Sequence, residues 1–76
     1  MKTIYRKKGN TYYRVEYFTE PKVRIVTKVC VLSLRDVSIY KCEVSDSFFE
    51  EINMNEKITK SEFNQQLKGA VTLIKG

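Results

Sequence analysis

The sequence predicts an α+β fold: an antiparallel β-meander of about four strands over residues 3–44, then a short helix and a C-terminal helix packed on one face. In the first half, β-branched and aromatic residues alternate with polar ones, and turn-forming residues separate the runs. Helical spacing and two capping patterns mark the second half. A chain of 76 residues holds one hydrophobic core, so residues 1–76 are predicted to form a single compact domain.

The first hairpin turns at Gly9-Asn10. Because glycine accepts a positive φ, this pair suits a type II′ turn, and the resulting register places Lys8 opposite Thr11. One face of the hairpin is expected to be the core side, and it carries Ile4, Tyr13, Val15 and Tyr17, with Arg6 and Lys8 nearer the turn. The other face is expected to be solvated, and it carries Tyr5, Lys7, Tyr12, Arg14 and Glu16.

The third strand follows a break at residues 19–22, where Pro21 removes a backbone donor. The strand is the β-branched run from Val23 to Leu34. Its odd positions form an apolar row, whereas its even positions begin polar and end apolar, so the buried side changes along the strand. A bulge near Lys28 would explain that change.

A turn at Arg35-Asp36 is predicted to lead into a fourth strand over residues 37–44. If Leu34 pairs with Val37, Cys30 and Cys42 lie on opposite faces, which predicts two free thiols. The same pairing gathers an apolar cluster at the hairpin tip, opposite the main core row, formed by Leu32, Leu34, Val37 and Ile39. Two interpretations of this cluster stay open: cover by the helices, or an exposed interface for a partner or a second copy.

Two capping patterns predict the helices. The capping box Ser47-Phe48-Phe49-Glu50 starts a short helix that ends near Asn53. A second capping box spans residues 59–62, and Ile58 before it can pack on Phe63 as a hydrophobic staple. Helical spacing of apolar residues then favours one continuous helix, with a stripe formed by Phe63, Leu67, Ala70, Val71 and Ile74. The alternative ends this helix at Gly69 and makes residues 70–74 an edge strand.

Charge is unevenly distributed between a basic β half (residues 1–44) and an acidic helical half (residues 45–76). Of the net +5, residues 1–41 contribute +7 from ten Lys/Arg and three Asp/Glu, and residues 42–76 contribute −2 from four Lys and six Asp/Glu. This asymmetry predicts a face attracted to anions; solubility alone is the simpler explanation. The sequence has no apolar signal segment and no apolar run near the ~20 residues of a membrane span, so it predicts a cytoplasmic protein without membrane contact.

No catalytic, metal or cofactor site is predicted. The chain has no histidine to act as a general base, and its two cysteines lie in apolar strand patterns, where Cys behaves as a small hydrophobe. Two cysteines without histidine are also too few for a zinc site. Glu50 and Glu51 are adjacent on a helix and do not converge on one face. The sequence therefore predicts a non-enzymatic protein without a cofactor.

Two surfaces are candidates for binding. The first combines aromatic rings with cations, as in proteins that hold single-stranded RNA or DNA, and consists of Tyr5, Lys7, Tyr12, Arg14, Lys22, Arg24 and Lys28. The second is the apolar hairpin tip, which favours a small inhibitor or adaptor that docks on a larger protein or ribonucleoprotein. Small basic α+β chains are common among phage and mobile-element proteins that block host defence systems, and this association favours an anti-defence role. The protein-directed role is favoured, direct nucleic-acid binding is the alternative, and a homodimer is compatible with either.

Overall fold

The computed structural model describes residues 1–75. Its strands are β1 (Lys2–Lys8), β2 (Thr11–Thr19), β3 (Lys22–Ser33), β4 (Asp36–Glu43) and β5 (Glu56–Lys57), and its helices are α1 (Asp46–Asn53) and α2 (Lys60–Lys75). The strands form one antiparallel sheet in the order β4-β3-β2-β1-β5. The predicted α+β class and four-strand meander are confirmed, and a two-residue fifth strand is added to them.

The first hairpin forms as predicted. Gly9 begins its two-residue turn with φ 58°, in the left-handed region that glycine enters at little cost. Strands β1 and β2 pair with Lys8 opposite Thr11 and Ile4 opposite Val15, so the predicted register is confirmed. Strand β2 continues into β3 through residues 20–21, whose peptide bond is cis.

The two helices pack on opposite faces of the sheet, and each covers its own hydrophobic cluster. On the side termed the α1 face, Ile52 of α1 packs with Val15 and Val26. On the other side, termed the α2 face, Phe63 of α2 packs with Val29. Because both faces are covered, even and odd positions of β3 are both apolar in part. The C-terminal helix thus covers one face as predicted, and the short helix occupies the other.

The pairing of β3 with β4 differs from the prediction. Ile39 lies opposite Val29 instead of Leu32, a difference of three residues along β3. The reason is that Leu32 is an extra, bulged residue and the turn falls at Leu34-Arg35. The bulge expected near Lys28 is therefore placed wrongly. An odd shift in register also moves every side chain of β4 to the other face of the sheet.

Cys30 and Cys42 are free thiols, as predicted, although the predicted reason is wrong. Both side chains lie on the α1 face, because Cys42 pairs with Val26 and Cys30 is also an even position of β3. Cys30 lies opposite Ser38, four residues from Cys42 along β4. Four residues of strand span about 13 Å, which is beyond the reach of a disulfide.

Side-chain caps start both helices. Thr59 Oγ1 accepts a hydrogen bond from the Glu62 N–H at 3.0 Å, and Glu62 Oε1 accepts one from the Thr59 N–H at 3.4 Å, which confirms the predicted capping box. In α1 the cap is Ser45, whose Oγ accepts from the Phe48 N–H at 3.3 Å. The prediction that Ser47 caps this helix is wrong, because the helix starts two residues earlier.

Helix α2 runs without a break from Lys60 to Lys75. Gly69 lies inside it, so the predicted continuous helix is confirmed and the edge-strand alternative is wrong. Ile58, before the cap, packs in the same cluster as Phe63, as the staple requires. Sixteen residues make α2 about 24 Å long, enough to lie across β2, β3 and β4.

The two-residue strand β5 carries the chain from the α1 face to the α2 face. It pairs with the outer edge of β1, where Lys57 lies opposite Arg6. The Arg6 side chain fixes the end of α1, since Nε donates to the Asn53 carbonyl at 3.1 Å and Nη2 to Asn53 Oδ1 at 2.6 Å. At the opposite edge, β4 has no further strand beside it among residues 1–75. Neither described helix has the length and apolar content needed to cross a membrane.

Candidate binding surfaces

The predicted aromatic–basic surface is divided between the two faces, and α2 covers its first part. Tyr5 and Tyr12 are half-buried against the α2 cluster, with the ring centres of Tyr5 and Phe63 5.7 Å apart. The Arg14 guanidinium lies 5.3 Å from the centre of the Phe63 ring. Lys7 lies over the Tyr12 ring, 5.5 Å from its centre. The expectation that this face is solvated is therefore wrong, because a helix packs on it.

The cations of β3 lie on the opposite side of the sheet from Arg14. The register of β2 with β3 places Lys22, Arg24 and Lys28 on the α1 face. Lys22 Nζ lies 3.4 Å from Asp46 Oδ2, and Arg24 forms an ion pair with the other oxygen of this carboxylate. Two of the three cations are thus paired at the start of α1. The sequence predicts that these cations extend the surface that carries Arg14, and this prediction is wrong.

The predicted apolar cluster at the hairpin tip is also divided. Val37 and Ile39 are half-buried and pack against the cluster under α2. Leu32 and Leu34 are 60% and 80% exposed. The shifted register is the physical reason, because it turns the apolar side chains of β4 toward the α2 face.

A groove at the hairpin tip joins Leu34 to the last turn of α2. Its volume is about 480 Å³, and its walls are Leu34, Arg35, Val37, Leu73 and Ile74. Ile74 is 56% exposed, and Leu73 is exposed as well. The four apolar residues Leu34, Val37, Leu73 and Ile74 are termed the apolar end surface. It brings two members of the predicted cluster together with two residues of α2.

The sequence does not predict the part that α2 plays in this surface. Helical spacing places Ile74 on the buried stripe with Phe63 and Ala70, yet Ile74 is exposed. The β3–β4 hairpin turns at residues 34–35, so the last turn of α2 has no further strand beneath it. Leu73 lies off the predicted stripe. An apolar residue outside the buried stripe is the signal in the sequence that could have indicated an exposed apolar surface on α2.

Helix α1 covers only part of its face because it has eight residues. Two rows of side chains lie beyond it, toward the hairpin turns. In the register of the sheet, the first row is Arg6, Tyr13, Lys28 and Tyr40, and the second is Lys8, Thr11, Cys30 and Ser38. All eight are exposed or half-buried. Three of them are cations and none is an acid, so the two rows carry a net positive charge.

Phe48 borders these rows from α1 and is 43% exposed. It lines a groove of about 350 Å³ with Lys8 and Tyr13, and one of about 60 Å³ with Tyr13, Lys28 and Tyr40. Tyr40 is 61% exposed, and Lys28 Nζ lies 5.4 Å from its ring centre. The five residues Lys8, Tyr13, Lys28, Tyr40 and Phe48 are termed the open sheet surface.

Tyr13 is the half-buried member of the open sheet surface whose acidity is altered. Burial raises the pKa of its phenol above the ordinary value of 10.0, and the nearby Cys30 and Glu51 add to the rise. The phenol therefore keeps its proton at neutral pH and can donate a hydrogen bond. Glu51 also lines the larger groove, so an acid borders the cationic rows on the α1 side.

Only Lys28 of the open sheet surface is among the predicted binding residues. The register of β3 with β4 is the missing signal. Tyr40 falls opposite Lys28 only when Leu32 is placed in a bulge. Tyr13 is predicted on the core side, and it does pack against the cluster under α1. Phe48 is predicted in the short helix and lies there. The sequence does not show which part of the sheet that helix covers.

The side chains are apolar on the first of these two surfaces, and cationic and aromatic on the second. Within residues 1–75, no three His, Cys, Asp or Glu side chains converge as ligands of a metal ion would. Comparison with protein-family models, with curated proteins and with solved structures finds no match for the chain.

Proposed function

We propose that this chain is a small non-enzymatic binding protein, an inhibitor or adaptor that docks on a larger protein through the apolar end surface. The observation that carries the proposal is the exposure of Leu34 and Ile74 on either side of one groove. Large apolar side chains that stay open to water together, instead of singly, are typical of surfaces that a partner covers.

The charges near the groove indicate the chemistry of the partner. Arg35 forms one wall, and Lys75 follows Ile74 at the end of α2. Cations beside an apolar groove favour a partner whose apolar side chains are bordered by acids. A ribonucleoprotein that presents an acidic protein surface meets the same requirement. The small size and positive charge of this chain favour a role as a phage or mobile-element protein that blocks such a complex in host defence.

Crosslinking at the surface tests this proposal. Benzoylphenylalanine replaces Leu34 in one variant and Met54, which is 87% exposed at the end of α1, in the other. Irradiation in the cells that encode the chain should link a protein to position 34 and not to position 54. The purified partner should then bind the native chain, and Leu34→Asp should raise the Kd about tenfold or more.

Met54→Asp is the matched control, because it places the same acid at an exposed apolar position away from the groove. It should leave the Kd unchanged, and circular dichroism should show that both variants keep the fold. Equal loss of binding in the two variants would remove the apolar end surface from consideration. Light scattering that gives a dimer dissociated by Leu34→Asp would identify a second copy, and not a larger protein, as the occupant.

A further inference from the structure

The open sheet surface carries a second, separate binding chemistry. Lys8 lies on β1 and Lys28 on β3, and the register brings them to adjacent rows of one sheet face, together with Arg6 of β1. Lys8 and Lys28 are not held by acids in ion pairs among residues 1–75, unlike Lys22 and Arg24. Arg6 is held by neutral Asn53 and keeps its net charge. Charge complementarity therefore favours an anionic ligand.

Aromatic rings stand beside these cations. Tyr40 is 61% exposed and Phe48 is 43% exposed, and both line the same small groove with Lys28. Cys42, two residues from Tyr40 on the same face of β4, also lines that groove between strand and helix. Exposed rings that border one groove can stack on bases of one extended strand while lysines contact its phosphates.

We propose that the open sheet surface binds single-stranded RNA or DNA, with Tyr40 and Phe48 stacking on bases and Lys8 and Lys28 contacting phosphates. The site is independent of the apolar end surface, and it lies on the opposite sheet face from the Tyr5, Tyr12 and Arg14 side chains that α2 covers. A single strand suits the surface better than a duplex, because stacking requires unpaired bases with open faces.

Fluorescence anisotropy with labelled oligo(U) and oligo(dT) of about 12 nucleotides tests the proposal. Binding should persist between about 50 and 200 mM salt, and the slope of log K against log salt should be near −0.7 for each phosphate contacted, about −1.4 for the two lysines. Tyr40→Leu keeps an apolar side chain but removes the ring, and it should raise the Kd about fivefold or more. Phe48→Leu should have a similar effect.

Lys28→Gln and Lys41→Gln form the matched charge pair. Both remove one cation, but Lys41 is exposed on the α2 face of β4, two residues from Ile39. Lys28→Gln should weaken binding and lower the salt slope by about 0.7, whereas Lys41→Gln should change neither. Glu51→Gln provides the opposite sign: removing the acid that lines the larger groove should tighten binding.

The proposal is overturned if the native chain fails to bind either oligonucleotide at the lower salt concentration. It is also overturned if Lys28→Gln and Lys41→Gln lose affinity equally, or if Tyr40→Leu and Phe48→Leu bind as the native chain does while remaining folded. Leu34→Ser removes one side chain of the apolar end surface without changing the net charge, and this variant should bind the oligonucleotides as the native chain does. Failure here therefore leaves the protein-docking proposal standing, and failure of that proposal leaves this one standing.

Discussion

The Cζ atom of Arg14 lies 5.3 Å from the centre of the Phe63 ring, where β2 meets α2. Phe63 is fully buried, and the Arg14 guanidinium is one of the groups that pack on its ring. A cation placed over an aromatic face in this way stabilises the contact by about 0.5–2 kcal/mol. Arg14 therefore takes part in holding α2 on the sheet, and it is not available to a ligand.

Truncation of Phe63 should severely destabilise the fold. The Phe63→Ala variant removes the largest fully buried side chain and should lower the free energy of unfolding by about 3–5 kcal/mol. Urea denaturation followed by circular dichroism measures the change. Phe48→Ala is the matched control, because Phe48 is exposed on α1 and its loss should cost about 1 kcal/mol or less. Similar costs for the two variants would contradict the packing of α2 on the sheet.

Two glycines should respond to alanine with opposite signs. Gly9 has a positive φ, and no atom lies within 4 Å of an added Cβ, so Gly9→Ala should destabilise the fold by about 1–2 kcal/mol through backbone strain alone. Gly69 lies in open space on α2, so Gly69→Ala should stabilise it by about 0.5–1 kcal/mol through helix propensity. Thermal unfolding of both variants measures the two shifts. A lower Tm for Gly69→Ala would contradict the continuous helix.

Alkaline unfolding should depend on Tyr13. Since burial raises the pKa of its phenol in the folded state, the fold holds this proton more tightly than the unfolded chain does. The resulting stability is fully present below the ordinary pKa of 10.0 and is lost as pH rises through the folded pKa. Tyr13→Phe has no proton to lose, so its free energy of unfolding should fall less between pH ~9 and ~12. Urea titrations across this range that superimpose for the two proteins would contradict the raised pKa.

The two thiols should react separately and at different rates. Cys42 is exposed and Cys30 is half-buried, so iodoacetamide should modify Cys42 first. Mild oxidation should give no intramolecular disulfide, because four residues of β4 separate Cys42 from the residue opposite Cys30. Peptide mass spectrometry follows both reactions. Cys42→Ser should remove the fast phase of alkylation. A fast phase that persists in this variant would show that Cys42 is not the faster-reacting thiol.

The parts of the fold that the sequence predicts correctly are those fixed by local chemistry. Gly9 specifies a two-residue turn, and a two-residue turn determines the whole register of β1 with β2. Thr59 and Glu62 are three residues apart and cap α2 through their own backbone and side chains. Neither prediction depends on distant contacts, so neither requires knowledge of the tertiary structure.

The register of β3 with β4 is set by a feature that leaves no local mark. Leu32 resembles its strand neighbours in the sequence, yet it is the bulged residue. Leu34-Arg35 forms the turn without glycine or asparagine, and Arg35 N–H donates to Ser33 Oγ at 3.2 Å. A turn built from ordinary residues is hard to locate within one or two positions, and an odd error exchanges the two faces of the strand.

The location of the binding surfaces could not be predicted because both sheet faces are covered in part. Tyr5, Tyr12 and Arg14 are amphipathic, so their side chains suit either a solvated face or contact with a helix. Alternation along a strand identifies two faces but does not say which one a later helix will cover. The chain passes from one face to the other at β5, a strand of only two residues that the sequence does not mark.

The course of the sheet also bears on the order in which it assembles. Strands β1 to β4 each pair with their neighbour in sequence, so three hairpins can close in succession across short loops, at little cost in chain entropy. β5 is different, because its partner β1 lies about fifty residues earlier in the chain, so their pairing closes a much longer loop. We expect the pairing of β5 with β1 to be the last step of folding. The amides of residues 56–57 should therefore exchange with solvent well before those of β2 and β3. Slower amide exchange in β5 than in β2 and β3 would contradict that order.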